Sequence, residues 1–321
     1  MVLQPGWEAA ELLAADGEVG DPDSPGGPAE AFHDESQAKP ASPLKLSLQV
    51  FLQNKLAILG LVTIVVMICF CFLGPFFYHT DQVSTNILAI NLAPGSGHPL
   101  GTDLNGYDEL GRLMIGGQTS LEVGIAAAAG ATLIGVVWGA VSGFLGGIVD
   151  SIMMRIVDAL LSIPALFLLL LLADIVKTSK VELIVVIAFI AWLVPARLVR
   201  GETLTLRVRE YVQAVRTMGG RSPRIVFRHI IPNTIGTIVV NASFQVADAI
   251  LTVAFLGFLG LALPPPGTDW GTMLSNGVNY TYDGYWWLIY PPGIAIVLTV
   301  VAFNFVGDAL RDALEVRLRR R

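Results

Sequence analysis

Three observations predict an all-α integral membrane protein. Of the 321 residues 54% are hydrophobic and only 14% charged, and the mean hydropathy is +0.65. Soluble domains carry about 25% charged residues, and here the deficit is concentrated in runs with no charge at all. Residues 56–77, 123–149 and 285–307 hold 22, 27 and 23 consecutive uncharged positions, and roughly 20 suffice to cross a bilayer as a helix. Six spans are expected, at about 56–77, 119–146, 152–173, 183–199, 230–261 and 285–310.

The first 43 residues are of a different material, with nine acidic residues, one Lys and scattered Pro, Gly and Ser. No apolar period runs through them, so a disordered acidic tail is expected. It carries −8 of the total −6, which leaves +2 for residues 44–321. It lacks the basic start and short apolar core of a signal peptide. Residues 44–321 read as one transmembrane domain.

The first span contains Cys69 and Cys71 two positions apart, on different sides of a helix, which excludes a metal site or a disulfide between them. A loop over residues 78–118 follows. The second span repeats Gly135, Gly139 and Gly143 at intervals of four, a small-residue face that lets another backbone approach closely. Asp150, Arg155 and Asp158 open the third span, where Arg155 and Asp158 are spaced to pair. Pro164 and Pro195 are expected to kink the third and fourth spans.

Between the fourth and fifth spans lies a 24-residue island, Glu210 to Asn233, neither lipid-like nor long enough for a domain. Leu204, Val208, Tyr211, Val212, Val215 and Met218 recur at steps of three and four, which predicts a continuing helix with one apolar face. Gly219 and Gly220 stop it. Ser222 then reads as an N-cap and Pro223 as the first helical residue of a second short helix running to Pro232. In the fifth span Thr234, Thr237, Asn241, Gln245, Asp248 and Thr252 share one face. Such a stripe is costly against lipid, so it either hydrogen-bonds to a neighbouring helix or lines a path; Asn241, Gln245, Asp248 and Thr252 are the candidate path residues.

Orientation follows from the basic residues. With a cytoplasmic N-terminus, six spans leave only Arg112, Lys177 and Lys180 of the 20 Lys and Arg outside, as the positive-inside rule requires. Both termini and the island are then cytoplasmic. Tyr280, Tyr282, Tyr285, Trp286, Trp287 and Tyr290 form an aromatic belt at the outer interface.

Enzyme chemistry has little support. None of the five Lys follows a Gly, which excludes a Gly-Lys-Ser/Thr phosphate loop. The four His stand outside any His-Glu-x-x-His pair and outside mid-membrane depth, which excludes a zincin or a membrane serine protease built on them. No metal site, cofactor or nucleic-acid partner is expected.

The island resembles the cytoplasmic "EAA loop" of ABC importer permeases: Glu-Ala-Ala, three residues, Gly, nine residues, Ile-x-Leu-Pro. Gln213, Ala214 and Val215 stand at the Glu-Ala-Ala places, Gly219 at the Gly, and His229, Ile230, Ile231 and Pro232 at the end. Further stretches resemble the second permease of the dipeptide and oligopeptide branch: NKLAILGL from Asn54, HPLGTDLNGYDELGRL from His98, GFLGGIVDSIMMRIVDALLSIPAL from Gly143, ARLVRGETL from Ala196, and the run from Trp286. The chain departs from that wording at Gln49, Gln53, Tyr107 and Gly111. The resemblance implies a complex in the bacterial cytoplasmic membrane of two homologous permeases and two ATPase subunits or domains carrying ATP and Mg, served by an extracytoplasmic peptide-binding protein. It implies that residues 203–232, with Tyr211, Gln213, Ala214, Val215, Gly219, Gly220, His229 and Pro232, couple the permease to the ATPase. A nickel or nickel-chelate importer shares much of this wording, while a channel, a secondary transporter or a membrane scaffold would need no ATPase. Because residues 1–43 have no apolar face to bury, deleting them is expected to leave complex assembly and transport nearly unchanged, measured as membrane level and uptake rate.

Overall fold

The structure, a computed structural model, describes residues 43–175 and 179–319; the acidic tail lies outside the described residues. Helices are the only regular secondary structure among the described residues, apart from one isolated β-bridge between Thr102 and Asp108 in the loop before the second long helix. The helices are α1 (Pro43–Gln53), α2 (Lys55–Phe77), α3 (Glu109–Leu145), α4 (Gly147–Leu161), α5 (Ala165–Ile175), α6 (Lys180–Ala191), α7 (Leu193–Leu206), α8 (Glu210–Thr217), α9 (Ser222–Ile225), α10 (Ile231–Phe258), α11 (Trp270–Val278) and α12 (Tyr290–Arg319). Four are long and apolar enough to cross a membrane, and the count reaches six if the bent pairs α4–α5 and α6–α7 are each one span.

Helix α3 is the axis of the fold. Its 37 residues pack against α2, α6, α7 and α10. Its small face takes α7: a Cβ at Gly135 would stand 2.6 Å from the Pro195 Cβ, and one at Gly143 2.9 Å from the Thr203 Cβ. At Gly139 the Ala196 carbonyl leaves no room for a Cβ at all. This close approach is the packing that the fourfold glycine spacing predicted. Val123, Ala127 and Ala128 of α3 meet Leu183 and Ile187 of α6 and Val253 and Leu256 of α10 in the main buried cluster.

Several boundaries differ from expectation, each for a physical reason. The second span starts at Glu109, ten residues earlier than expected, and shortens the 78–118 loop. Hydropathy stops at Glu109 and Arg112, yet both are buried: Arg112 Nε lies 3.7 Å from an Asp103 carboxylate oxygen and Nη1 donates to the Pro266 carbonyl at 2.9 Å. Asp108 caps the helix by accepting from the Gly111 N–H at 2.8 Å. Asp158 pairs with Arg197 rather than Arg155, because the α4 charges turn to α7, where Asp150 also meets Arg200 at 2.6 Å. Two helices escaped the sequence reading. Segment α1 lies against α12, and α11 is too short for a span yet buries Trp270, whose indole N–H donates to the Leu113 carbonyl at 3.0 Å.

Proline positions explain the bends. A proline inside a helix has no N–H for the carbonyl four residues back, and in lipid that carbonyl must find another donor. Pro75 orphans the Cys71 carbonyl, which accepts instead from Gln118 Nε2 at 2.8 Å, and α2 runs on unbroken. Pro195 orphans the Ala191 carbonyl, which accepts from Gln245 Nε2 at 3.3 Å, and α6 meets α7 at 44°. The Leu160 carbonyl before Pro164 receives the Ile163 N–H at 3.3 Å and no glutamine amide, and α4 and α5 turn by 83°. Pro164 therefore separates two helices rather than kinking one. Replacing Gln118 with Leu is expected to lower the complex's stability in detergent by about 1–2 kcal/mol, the cost of a buried unpaired carbonyl. Adding Pro75→Ala should recover most of that loss in the same thermal-unfolding assay, since Ala restores the missing N–H.

Candidate functional site

The island between α7 and α10 is a compact corner rather than two free helices. The expected continuous helix over residues 204–218 is interrupted: α7 ends at Leu206, Arg209 adopts extended backbone (φ −67°, ψ 144°), and α8 starts at Glu210. Val208, left between the two, is exposed. Arg207 anchors the break. Its N–H donates to the Thr203 carbonyl and its Nη1 to the Gly143 carbonyl at the end of α3, both at 2.9 Å. Gln213 Nε2 then donates to the Arg207 carbonyl at 3.0 Å, so the residue standing in the Glu place of the loop pattern closes the break by an amide contact.

After α8 the chain reverses on two glycines with different jobs. Gly219 has φ +81°, a conformation that any Cβ strains. At Gly220 a Cβ would stand 2.7 Å from both the carbonyl oxygen and Cγ1 of Val215. The second helix also differs from expectation. Arg221, in extended backbone without a side-chain bond, precedes α9, so Ser222 is inside the helix and is not its cap. Nor does α9 end at Pro232; through a π-helical turn at Val226–Ile230 it continues into α10. The wider turn lets the Ile231 N–H reach the Val226 carbonyl and carries the chain past Pro232 without a break.

Buried Val212, Ile225 and Ile230 form the core of this corner, with Phe144, Leu206 and Val215 packed on them. Pointing outward are Tyr211, Gln213, Ala214 and Gly219, together with Met218, Phe227 and the basic Arg216, Arg221, Arg224 and Arg228. His229 is half-buried and Pro232 exposed. The corner is thus apolar inside, and apolar and basic outside.

Along α10 the predicted polar stripe divides. Thr234 is buried, bonded to the Ile231 carbonyl at 3.0 Å, and lines no cavity. Thr237 donates to Glu202 at 3.3 Å on the wall of a cleft of about 700 Å³ between α7, α10 and the end of α12. Asn241, Gln245, Asp248 and Thr252 all line a second cavity of about 340 Å³, enclosed by α5, α6, α7 and the Pro164 break. Asn241 and Phe244 border both spaces. Gln245 also serves the interhelical bond at Ala191, so one face does both of the tasks open to it.

At the opposite end, loop residues that carry motif wording are tied down. The Asp108 carboxylate accepts from the Tyr78 hydroxyl at 2.8 Å and stands 2.9 Å from His98 Nδ1. Burial, with the Asp108 carboxylate beside it, pushes the Tyr78 phenol up to about 12, so it remains a donor. Burial likewise raises the Asp269 carboxyl above its usual range, against the N–H and hydroxyl bonds of Gly271 and Thr272 that favour its charge. Trp287 belongs to this cap and not to the lipid belt: it is buried, and its indole N–H reaches the Thr102 carbonyl at 3.3 Å.

A helical membrane protein with a rigid basic corner on one side, and a polar-lined cavity behind it, has the parts of a transport subunit. The chain belongs to the family of binding-protein-dependent transport system inner membrane components, which matches residues 135–320. The N-terminal TM domain of oligopeptide transport permease C matches residues 42–94. The oligopeptide transport system permease protein OppC of Bacillus subtilis (strain 168) is 42% identical over 270 residues, 84% of this chain and 88% of that protein. The dipeptide transport system permease protein DppC of the same organism is 39% identical over 268 residues, 84% of each chain. OppC of Escherichia coli (strain K12) is 39% identical over 271 residues, 84% of this chain and 89% of that protein. The resemblance drawn from the loop spacing is borne out.

Proposed function

We propose that this chain is one permease subunit of an ATP-driven importer that moves di- or oligopeptides across the bacterial cytoplasmic membrane. The observation that carries this reading is identity near 40%, spread over 84% of the chain, with proteins named as oligopeptide and dipeptide permeases. In this reading each bent pair is one span, which gives six, and both termini face the cytoplasm. A second, homologous permease completes the path, two ATPase subunits supply energy, and an extracytoplasmic binding protein delivers the peptide.

The mechanism uses this chain's rigid links. The outward side of α8 and α9 docks on an ATPase subunit, and closure of the ATPase pair on ATP displaces the corner. Because Arg207 bonds to the end of α3 and α9 runs without a break into α10, a push on the corner moves both helices. The spans then rock, and the space along Asn241, Gln245, Asp248 and Thr252 opens to alternate sides. No bond chemistry is done here; the subunit converts displacement into access.

Two measurements test this. Reconstituted with its partners, the complex should take up labelled peptide only with ATP, whereas ATP-independent flux would favour a channel or secondary transporter. Gly219→Leu should insert normally and keep its ATPase yet lose at least about tenfold in uptake, because a Cβ at φ +81° redirects the corner. Cys placed at Asn241, Gln245 and Asp248, with Cys69 and Cys71 changed to Ala, should react with a small water-soluble thiol reagent at rates that change when ATP is trapped. Val239 and Val246 should stay unreactive in both states. Three inert polar positions would assign the stripe to packing alone.

A further inference from the structure

The walls of the 340 Å³ cavity are chemically one-sided. Of the side chains around it, most are Leu, Ile, Val, Ala and Pro, and the only charged one is Asp248. No ion pair or side-chain hydrogen bond reaches the Asp248 carboxylate among the described residues, whereas Asp150 and Asp158 of α4 are each met by an arginine. About two turns earlier on the same face, Asn241 Oδ1 is shut off from solvent with no donor. Gln245, between them, spends its N–H on the Ala191 carbonyl, and the Thr252 hydroxyl spends its proton on the Asp248 backbone carbonyl at 2.8 Å. Along this face the Asp248 carboxylate is the one group that brings charge, beside the amide groups of Asn241 and Gln245.

An isolated carboxylate roughly 24 Å along a helix from Pro232, at 1.5 Å per residue, needs water or a cation. A primary ammonium supplies such a cation, since it brings charge and three donors and no acceptor. We propose that Asp248 forms a cation-selecting subsite in the transport path, which takes the ammonium group of the cargo, whether its amino terminus or a lysine side chain. This rests on the reading of the chain as a peptide permease and adds to it a preference by charge. The neighbouring cleft supports the assignment by contrast, because there Glu202 shares the lining with Arg209 and Arg311. Cargo leaving the subsite would meet mixed charge rather than a second acidic trap.

The test reads the subsite's field without depending on what the binding protein delivers. In the assembled importer with Cys69→Ala and Cys71→Ala, Thr252→Cys or Leu168→Cys, on two walls of the same cavity, is reacted with a cationic and an anionic methanethiosulfonate reagent of similar size. The cationic reagent should react faster, and Asp248→Asn should lower the cation-to-anion rate ratio by about tenfold, as expected for removing a unit charge within one helical turn. Asp248→Glu should keep the ratio, which separates charge from damage to the fold. Uptake of a Lys-containing tripeptide relative to a neutral one, at saturating loaded binding protein, should fall several-fold in Asp248→Asn. A ratio indifferent to Asp248→Asn would mean that the carboxylate is neutral or already paired with a cation of another subunit, and would overturn the subsite. A ratio that falls with no change in relative uptake would overturn its contact with cargo. If ATP-driven peptide uptake itself is absent, the permease reading fails while the reagent ratio still reports on the cavity.

Discussion

Every backbone carbonyl inside a bilayer must find a donor within the protein, and the architecture here depends on how three prolines break that condition. Pro75 and Pro195 each strand a carbonyl, and a glutamine from another helix answers each of them, Gln118 from α3 and Gln245 from α10. Where no such side chain arrives, at Pro164, the chain turns by 83° between α4 and α5. That turn, the 44° bend at Trp192 and the α10 face between them enclose the cavity. Helix breaking and helix repair are therefore what shape this cavity.

The small face of α3 complements this. With no Cβ at Gly135, Gly139 and Gly143, α7 lies directly on α3, so the two move as one body. Arg207 extends that union past the membrane boundary by bonding to the Gly143 carbonyl. The corner after it has its own small core in Val212, Ile225 and Ile230, and α9 flows into α10 through the π-turn. A displacement at the basic surface consequently reaches α3 and α10, which pack on each other and on α6 and α7.

Buried charge is handled differently at the two ends. At the loop end several buried charges are tied to partners: Asp103 lies against Arg112, Arg112 sits over the Tyr107 ring at 4.3 Å, and Asp108 accepts from the Tyr78 hydroxyl beside His98. Tyr107, a departure from the usual family wording, thus holds Arg112 by its ring face and the loop by its hydroxyl bond to the Val83 carbonyl at 3.0 Å. In the middle of the fold Asp248 is left open. The contrast separates charges that hold the fold from one that remains available.

The amino-acid order alone suffices for the membrane class, the three uncharged spans, the glycine face of α3, the glycine stop after α8 and the family of the loop. These rest on composition, period and local stereochemistry, which act within a few residues. It does not suffice for the true start of α3, the pairing of Asp158 with Arg197, the burial of α11 or the fusion of α9 with α10. Hydropathy counts Glu109 and Arg112 as breaks because it cannot see the Asp103 carboxylate and Pro266 carbonyl that absorb the arginine from elsewhere in the chain. Likewise the polar stripe of α10 is visible as a pattern, but whether each member bonds to a helix or faces a cavity depends on which neighbour lies opposite. Gln245 faces an orphaned carbonyl and Asp248 faces open space, and only long-range packing decides between them.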